Sequence, residues 1–230
     1  VEVVKLLIEK GADVRARTSE EHGLLTPLHA AAEFGHTAVV EALLDPEHVP
    51  TDQRTDQLNA KNKNGSTPLH AAAEYGHDAV VKALLGDPVT QEQIVTQVNA
   101  QDKDGWTPLY IAAQYAYTAV VQLLLEKGAQ VDAMSSDRNG NWTPLHLVVY
   151  RQVDNQDQKP TIEGATETTR ALLEKLREKG IDIQAMLQGG VIRTYDGGKE
   201  FGEWLDLVRK PENKWYRDAL QGAGVDVDNL

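Results

Sequence analysis

The sequence contains no cysteine, which excludes disulfide bonds, thiolate metal sites, redox motifs and cysteine nucleophiles. Basic residues are also scarce, because 23 Lys and Arg stand against 35 Asp and Glu and give a formal net charge of −12 at pH 7. Such a chain lacks the basic surface of nucleic-acid binders and would be repelled by an anionic membrane. We therefore predict a neutral or basic protein partner, with no nucleic acid and no membrane involved.

Long apolar runs are missing as well. The longest stretches, such as residues 3–8, are interrupted by charged residues, Gly or Pro long before the roughly 18 residues that a membrane-spanning helix needs. The chain opens Val-Glu-Val-Val, with neither Met nor the basic start of a signal peptide. We expect a fragment of a longer chain and an intracellular, cytoplasmic location.

An internal repeat dominates the sequence. The segment TPLHAAAEFGH at residues 26–36 returns as TPLHAAAEYGH at 67–77, and in altered form as TPLYIAAQY at 107–115 and TPLHL at 143–147. The Thr-Pro motifs recur after 41, 40 and 36 residues, and each of the first three is followed by an apolar second segment. Regular self-similarity of this length is typical of a repeat architecture.

Each repeat predicts a pair of helices. Thr26 can cap a helix whose first position is filled by Pro27, where a missing N–H has no cost. Gly35 can end that helix in the left-handed region. A second amphipathic helix follows, and the dipeptides Asn64-Gly65 and Asp104-Gly105 favour a two-residue hairpin turn before the next pair.

These motifs, together with Gly-Ala-Asp-Val at residues 11–14, resemble the ankyrin repeat family. The resemblance implies an all-α fold: a solenoid of antiparallel helix pairs joined by β-hairpin or β-turn fingers, here with long insertions between repeats. It also implies a non-catalytic protein-interaction module with a concave binding face. We predict a single domain over residues 1–230, divided into a partial N-terminal repeat (1–22), four repeats (23–60, 61–100, 101–133 and 134–186) and a divergent C-terminal capping repeat (187–230).

Departures from the family pattern predict where the repeats are interrupted. Residues 45–57 and 86–97 read as loops or one short turn of helix, and residues 151–165 as a loop inserted before a helix at 166–179. Ala116 and Tyr117 stand where other repeats have Gly and His, which puts that helix end in doubt. Residues 1–10 match only a second helix, so we expect an uncapped edge that native upstream sequence would stabilise.

No catalytic, metal or cofactor site is predicted. Five of the seven histidines sit at repeat-equivalent positions, and three of them, His29, His70 and His146, stand three residues after the capping Thr, where imidazole and hydroxyl can share a hydrogen bond. We assign them a structural role, and the protein is predicted not to be an enzyme.

The candidate binding residues are the positions that face the concave side in the family and the finger tips. Six of the 13 aromatic residues fall at these positions, which we expect to be exposed, and Tyr, Trp and Arg dominate interface hot spots. The predicted set is Glu33, Phe34, Lys63, Glu74, Tyr75, Lys103, Trp106, Gln114, Tyr115, Trp142, Tyr150 and Arg151. A plainer interpretation is that Phe34, Tyr75 and Tyr115 only cover the helix ends beside them.

Two other functions fit the sequence. The chain can be the targeting arm of a larger multidomain enzyme or of a secreted bacterial effector acting in host cytoplasm. It can also be a self-associating structural spacer, although we favour a monomer over a homodimer.

Overall fold

The computed structural model describes residues 1–86, 89–135, 142–148, 161–189, 206 and 208–229. The chain forms two compact units, Val1–Lys103 and Asp104–Leu230. The organisation as a single domain stays a prediction. The described residues are helical or in turns, with no β-strand among them.

The first unit is built from consecutive helix pairs. Thr26 and Thr67 adopt extended backbone angles and cap the first helix of each pair, with Pro at the first helical position as predicted. Leu28, Leu69, Val40 and Val80 are buried between the helices. The helices are α1 (Glu2–Glu9), the pair α2 (Pro27–Glu33) and α3 (Thr37–Leu43), and the pair α5 (Pro68–Glu74) and α6 (Asp78–Leu84).

The inserted segments of the first unit contain full helices. Helix α4 (Thr51–Leu58) and helix α7 (Gln91–Val98) are eight residues long, so the prediction of a loop or one short turn is wrong. Their composition is polar, but Leu58, Ile94 and Val98 are buried. Burial of these few apolar residues stabilises helices that local propensity alone would not hold.

The finger segment at residues 62–66 is a turn closed by backbone hydrogen bonds. The Gly65 N–H donates to the Asn62 carbonyl, 2.9 Å away, and the Asn62 N–H donates to the Ser66 carbonyl at 2.9 Å. The first of these bonds puts Lys63 and Asn64 at the centre of the turn, one residue earlier than the predicted pair Asn64 and Gly65. Gly65 instead takes a positive φ of 81° directly after the turn.

The second unit also begins with a capped pair. Helix α8 (Pro108–Gln114) follows Thr107, and α9 (Thr118–Glu126) packs against it. Residues 144–148 are helical and are named α10. The unit continues with α11 (Ile162–Glu178), α12 (Ile183–Gly189) and α13 (Lys214–Gly222).

Two predictions about this unit need correction. The helix end after α8 is kept although Gly is absent, because Ala116 adopts a left-handed φ of 52°. Helix α11 begins at Ile162, four residues before the predicted start, since the Thr161 hydroxyl caps the Gly164 N–H at 3.0 Å. The predicted inserted loop at 151–165 therefore ends earlier, and residues 151–160 lie outside the described part.

Along the described stretches of the chain, no helix combines the length and the apolar content that crossing a bilayer requires.

Candidate functional site

The first unit carries an exposed aromatic ring at the end of each first helix. Phe34 and Tyr75 occupy the C-cap positions of α2 and α5, directly before glycines with positive φ. Phe34 is 67% exposed and stacks on His36 at 6.2 Å between ring centroids, while Tyr75 is 46% exposed and stacks on His77 at 6.2 Å. One face of each ring thus covers the following imidazole, as the plainer interpretation holds, and a substantial part of the ring stays accessible.

The second unit repeats this arrangement with less exposure. Tyr115 is the C-cap of α8 and stacks on Tyr117 at 5.7 Å. Trp106 stands before the capping Thr107 and stacks on Tyr110 at 5.6 Å. Tyr115 and Trp106 are both partly exposed, so they offer only an edge or one face to a partner.

Trp142 contradicts the expectation of exposure. Its side chain is only 6% exposed, and its backbone N–H donates to the Ser135 hydroxyl at 3.0 Å. The indole therefore belongs to the core of the second unit, because a large apolar side chain beside a turn is stabilised more by burial than by contact with water. The predicted residues Tyr150 and Arg151 lie outside the described residues.

Acidic side chains surround the aromatic rings of the first unit. Glu33 and Glu74 each precede one ring, and partial desolvation raises the pKa of Glu74. The nearby carboxylates of Glu33 and Asp102 raise that pKa further. Ionised Glu74 therefore lies in a negative local potential that a cationic group of a partner would relieve. Gln114 takes the corresponding position in the second unit and is partly exposed.

The finger-tip lysines are exposed and are held through their backbones. The Lys63 N–H donates to the Gly23 carbonyl at 2.9 Å, and the Lys103 N–H donates to the Asn64 carbonyl at 3.0 Å. Their ammonium groups thus extend from turns that are fixed to each other within the first unit. A methyl group at Gly65 would approach the Lys103 nitrogen to 2.9 Å, so this stacking depends on glycine.

The predicted hydrogen bond between imidazole and capping Thr is present at His29, His70 and His146. The Thr26 N–H donates to Nδ1 of His29 at 3.3 Å, and the His29 N–H donates to the Thr26 hydroxyl at 3.3 Å. Because Nδ1 accepts, the proton lies on Nε2, which is 3.0 Å from the carbonyl of Ser66 in the next repeat. Burial lowers the pKa of His29, so the imidazole stays neutral near pH 7.

One group of possible metal ligands was missed by the sequence analysis. Asp45, Glu47 and His48 follow α3 and place one ligand atom each within 4.8 Å of one another. Glu47 and His48 are exposed, and Nδ1 of His48 is already 3.1 Å from an Asp45 carboxylate oxygen. The short spacing Asp-x-Glu-His was the available signal, but an ion pair between His48 and Asp45 explains it equally well.

Comparison with known proteins agrees with the repeat structure. The sequence matches the family described as ankyrin repeats (3 copies) over residues 1–94 and 87–186. The search of curated proteins gave no match. Repeats of this family are generally protein-interaction modules and typically non-catalytic. Since the matched segments cover well over half of the 230 residues and coincide with the capped helix pairs, the chain belongs to the ankyrin repeat family.

Proposed function

We propose that this chain binds a partner protein through the ends of its first helices and the adjoining finger tips. The observation that carries the proposal is the repeated exposure of an aromatic ring at the C-cap, Phe34 and Tyr75 in the first unit, in a chain with few aromatic residues. Aromatic residues are enriched at the core of protein interfaces and among their hot spots.

The partner contributes a Lys or Arg next to an apolar side chain. The support for this is electrostatic: the pKa of Glu74 is raised by desolvation and by the carboxylates of Glu33 and Asp102, so a cation placed there removes a repulsion that exists in the free protein. Lys63 and Lys103, at the exposed finger tips, belong to the same proposed binding surface. In the second unit, Trp106, Tyr115 and Gln114 make the corresponding contacts, and Trp142 has no part because it is buried.

Affinity capture with quantitative mass spectrometry tests the proposal. The variant Phe34→Ala with Tyr75→Ala should lose the partner that wild-type protein retains, and Trp106→Ala with Tyr115→Ala tests the second unit separately. Val95→Ala is the matched control, since Val95 is 43% exposed but lies on the inserted helix α7. Circular dichroism verifies that each variant is folded.

A partner that binds the Phe34 and Tyr75 variant as well as wild type would refute the proposal for the first unit. A partner lost equally from the Val95→Ala control would point to general destabilisation instead. Glu74→Gln supplies the electrostatic test: it should weaken binding, and the weakening should shrink as salt is raised.

Two finer predictions from the sequence belong to this proposal. They are a location inside the cell and a role as the targeting arm of a larger enzyme or effector. Both rest on the family resemblance, and the full reading frame tests them. Self-association as a spacer is tested by light scattering, where a dimer that forms with rising concentration would favour it over a monomeric binding module.

A further inference from the structure

A groove lies on the second unit between α11 and α13, and none of its lining residues belongs to the helix ends and fingers considered above. Its volume is about 910 Å³. Leu173 from α11 and Ala219 and Ala223 from the α13 segment line its apolar part, together with Trp215. Because Ala219 and Ala223 have small side chains, they leave an open space next to the larger side chains of Leu173 and Trp215.

Trp215 lies beside this groove and contacts the buried ring of Tyr216. Its ring meets Tyr216 edge to face, with centroids 5.4 Å apart at 78°. Tyr216 is fully buried, and its hydroxyl donates to the Leu145 carbonyl at 2.7 Å. Trp215 itself is partly exposed, and its indole N–H has no acceptor among the described residues. A rigid, half-exposed indole with a spare donor is the kind of anchor that interfaces favour.

Two guanidinium groups line the groove. Arg170 and Arg177 lie two turns apart on α11 and both line the groove. Arg177 donates to the Gly222 carbonyl at 2.6 Å, but neither arginine has a carboxylate partner in the described part of the chain. Seven residues of helix separate the two groups by about 10 Å on one face.

The carboxylates of the groove are largely compensated. Glu178 pairs with Lys175 at 2.8 Å, and Asp218 pairs with Lys214. Glu174 is the only groove carboxylate without an ion pair among the described residues. Among the described residues, the lining therefore holds two guanidinium groups without a carboxylate partner against one carboxylate without an ion pair, and its other two carboxylates are neutralised by Lys175 and Lys214.

We propose that this groove docks an acidic peptide segment of a partner protein. An apolar side chain of the segment lies on Trp215 and Leu173, and two carboxylates about 10 Å apart bind Arg170 and Arg177. Residues three apart in a polyproline-type chain have about this spacing and lie on the same face. The charge complementarity selects the acidic segment, because basic and neutral peptides leave both guanidinium groups unpaired. This surface shares no residue with the helix-end surface of the proposed function, so the two can be tested independently.

A phage library of random 12-residue peptides, selected on the wild-type chain, provides the test. The selected peptides should carry an apolar residue flanked by Asp or Glu. One synthesised, fluorescein-labelled peptide is then titrated in fluorescence anisotropy. Arg170→Glu, an exposed residue with no other described partner, should lower its affinity at least tenfold, and Trp215→Ala should have a similar effect.

Lys179→Glu is the matched control, because it makes the same change of charge at an exposed residue just after α11 but outside the groove. It should change the affinity less than twofold. A peptide in which one acidic residue is replaced by Lys should regain binding to the Arg170→Glu variant, which a merely structural effect of the substitution would not produce.

Several results would overturn the proposal. They are the absence of acidic, apolar sequences among the selected peptides, equal binding to wild type and Arg170→Glu, or loss of binding only in the Phe34→Ala with Tyr75→Ala variant. A dimer of this chain that is broken by Arg170→Glu would identify a second copy as the occupant and would also overturn it.

Discussion

The buried imidazole of His146 makes the stability of the second unit depend on pH. His146 is fully buried, and its Nδ1 accepts a hydrogen bond from the Thr143 N–H at 3.2 Å. Burial lowers its pKa from the ordinary 6.5 to about 4, against a smaller opposing effect of a hydrogen bond with the Leu187 backbone. Below pH 6.5 the unfolded chain therefore binds a proton that the folded chain does not.

The size of the effect follows from the two pKa values. The contribution of neutral His146 to the free energy of unfolding is fully present above about pH 6.5. It is lost as the pH falls towards 4, because protonation of the imidazole then favours the unfolded state. Between pH 7 and pH 4 the free energy of unfolding should fall by about 3 kcal/mol from this residue alone, with roughly 1 kcal/mol already lost at pH 5.5.

The chain itself supplies a replacement that does not titrate. In α7, Gln93 takes the position that His146 takes after its capping Thr: the Thr90 N–H donates to the Gln93 amide oxygen at 3.0 Å, and the Gln93 N–H donates to the Thr90 hydroxyl at 3.3 Å. His146→Gln can therefore keep the capping box. Urea unfolding followed by circular dichroism at pH 7, 5.5 and 4 measures the effect for wild type and variant.

We expect His146→Gln to lose about 3 kcal/mol less than wild type between pH 7 and pH 4. His22→Gln, which removes an exposed histidine of the first unit, is the control substitution. Parallel stability curves for wild type and His146→Gln would refute the reasoning, since they would mean that the buried imidazole does not resist protonation.

Three further substitutions test the packing by urea unfolding. Ala116→Gly should raise the free energy of unfolding by about 0.5–1 kcal/mol, since a φ of 52° costs Ala more than Gly, and an unchanged or lower value would contradict the strain. Gly35→Ala should lower the free energy of unfolding by more than about 1 kcal/mol, because φ is 69° and the new methyl would lie 2.8 Å from the His77 ring. A variant as stable as wild type would show that this close approach does not exist. Tyr216→Phe should cost about 1–3 kcal/mol by leaving the buried Leu145 carbonyl without its 2.7 Å hydrogen bond, and a loss below 0.5 kcal/mol would mean that water replaces the hydroxyl.

Local sequence was sufficient for the elements that repeat. Thr26 and Pro27 start a helix because the cap and the first position need only neighbouring atoms. Gly35 ends it because its backbone tolerates a positive φ without help from the rest of the fold. The recurrence of these signals identified the family and the helix pairs before any contact was known.

Signals that depend on distant atoms were misjudged. The inserted helices α4 and α7 have polar compositions, and they form because a few side chains such as Ile94 and Val98 are buried against neighbouring helices. Ala116 could not be assigned for the same reason, since only the packing of α8 and α9 holds a left-handed Ala in place.

The candidate site likewise combines features that local sequence predicts with features that depend on distant residues. Spacing along the chain was enough to place the aromatic residues within each repeat. Packing, in contrast, leaves Phe34 and Tyr75 exposed and buries Trp142, and it brings Arg170 and Arg177, which have no carboxylate partner in the described part of the chain, into one groove with Trp215. Exposure is set by residues that are far away in sequence, so no local pattern could have encoded it.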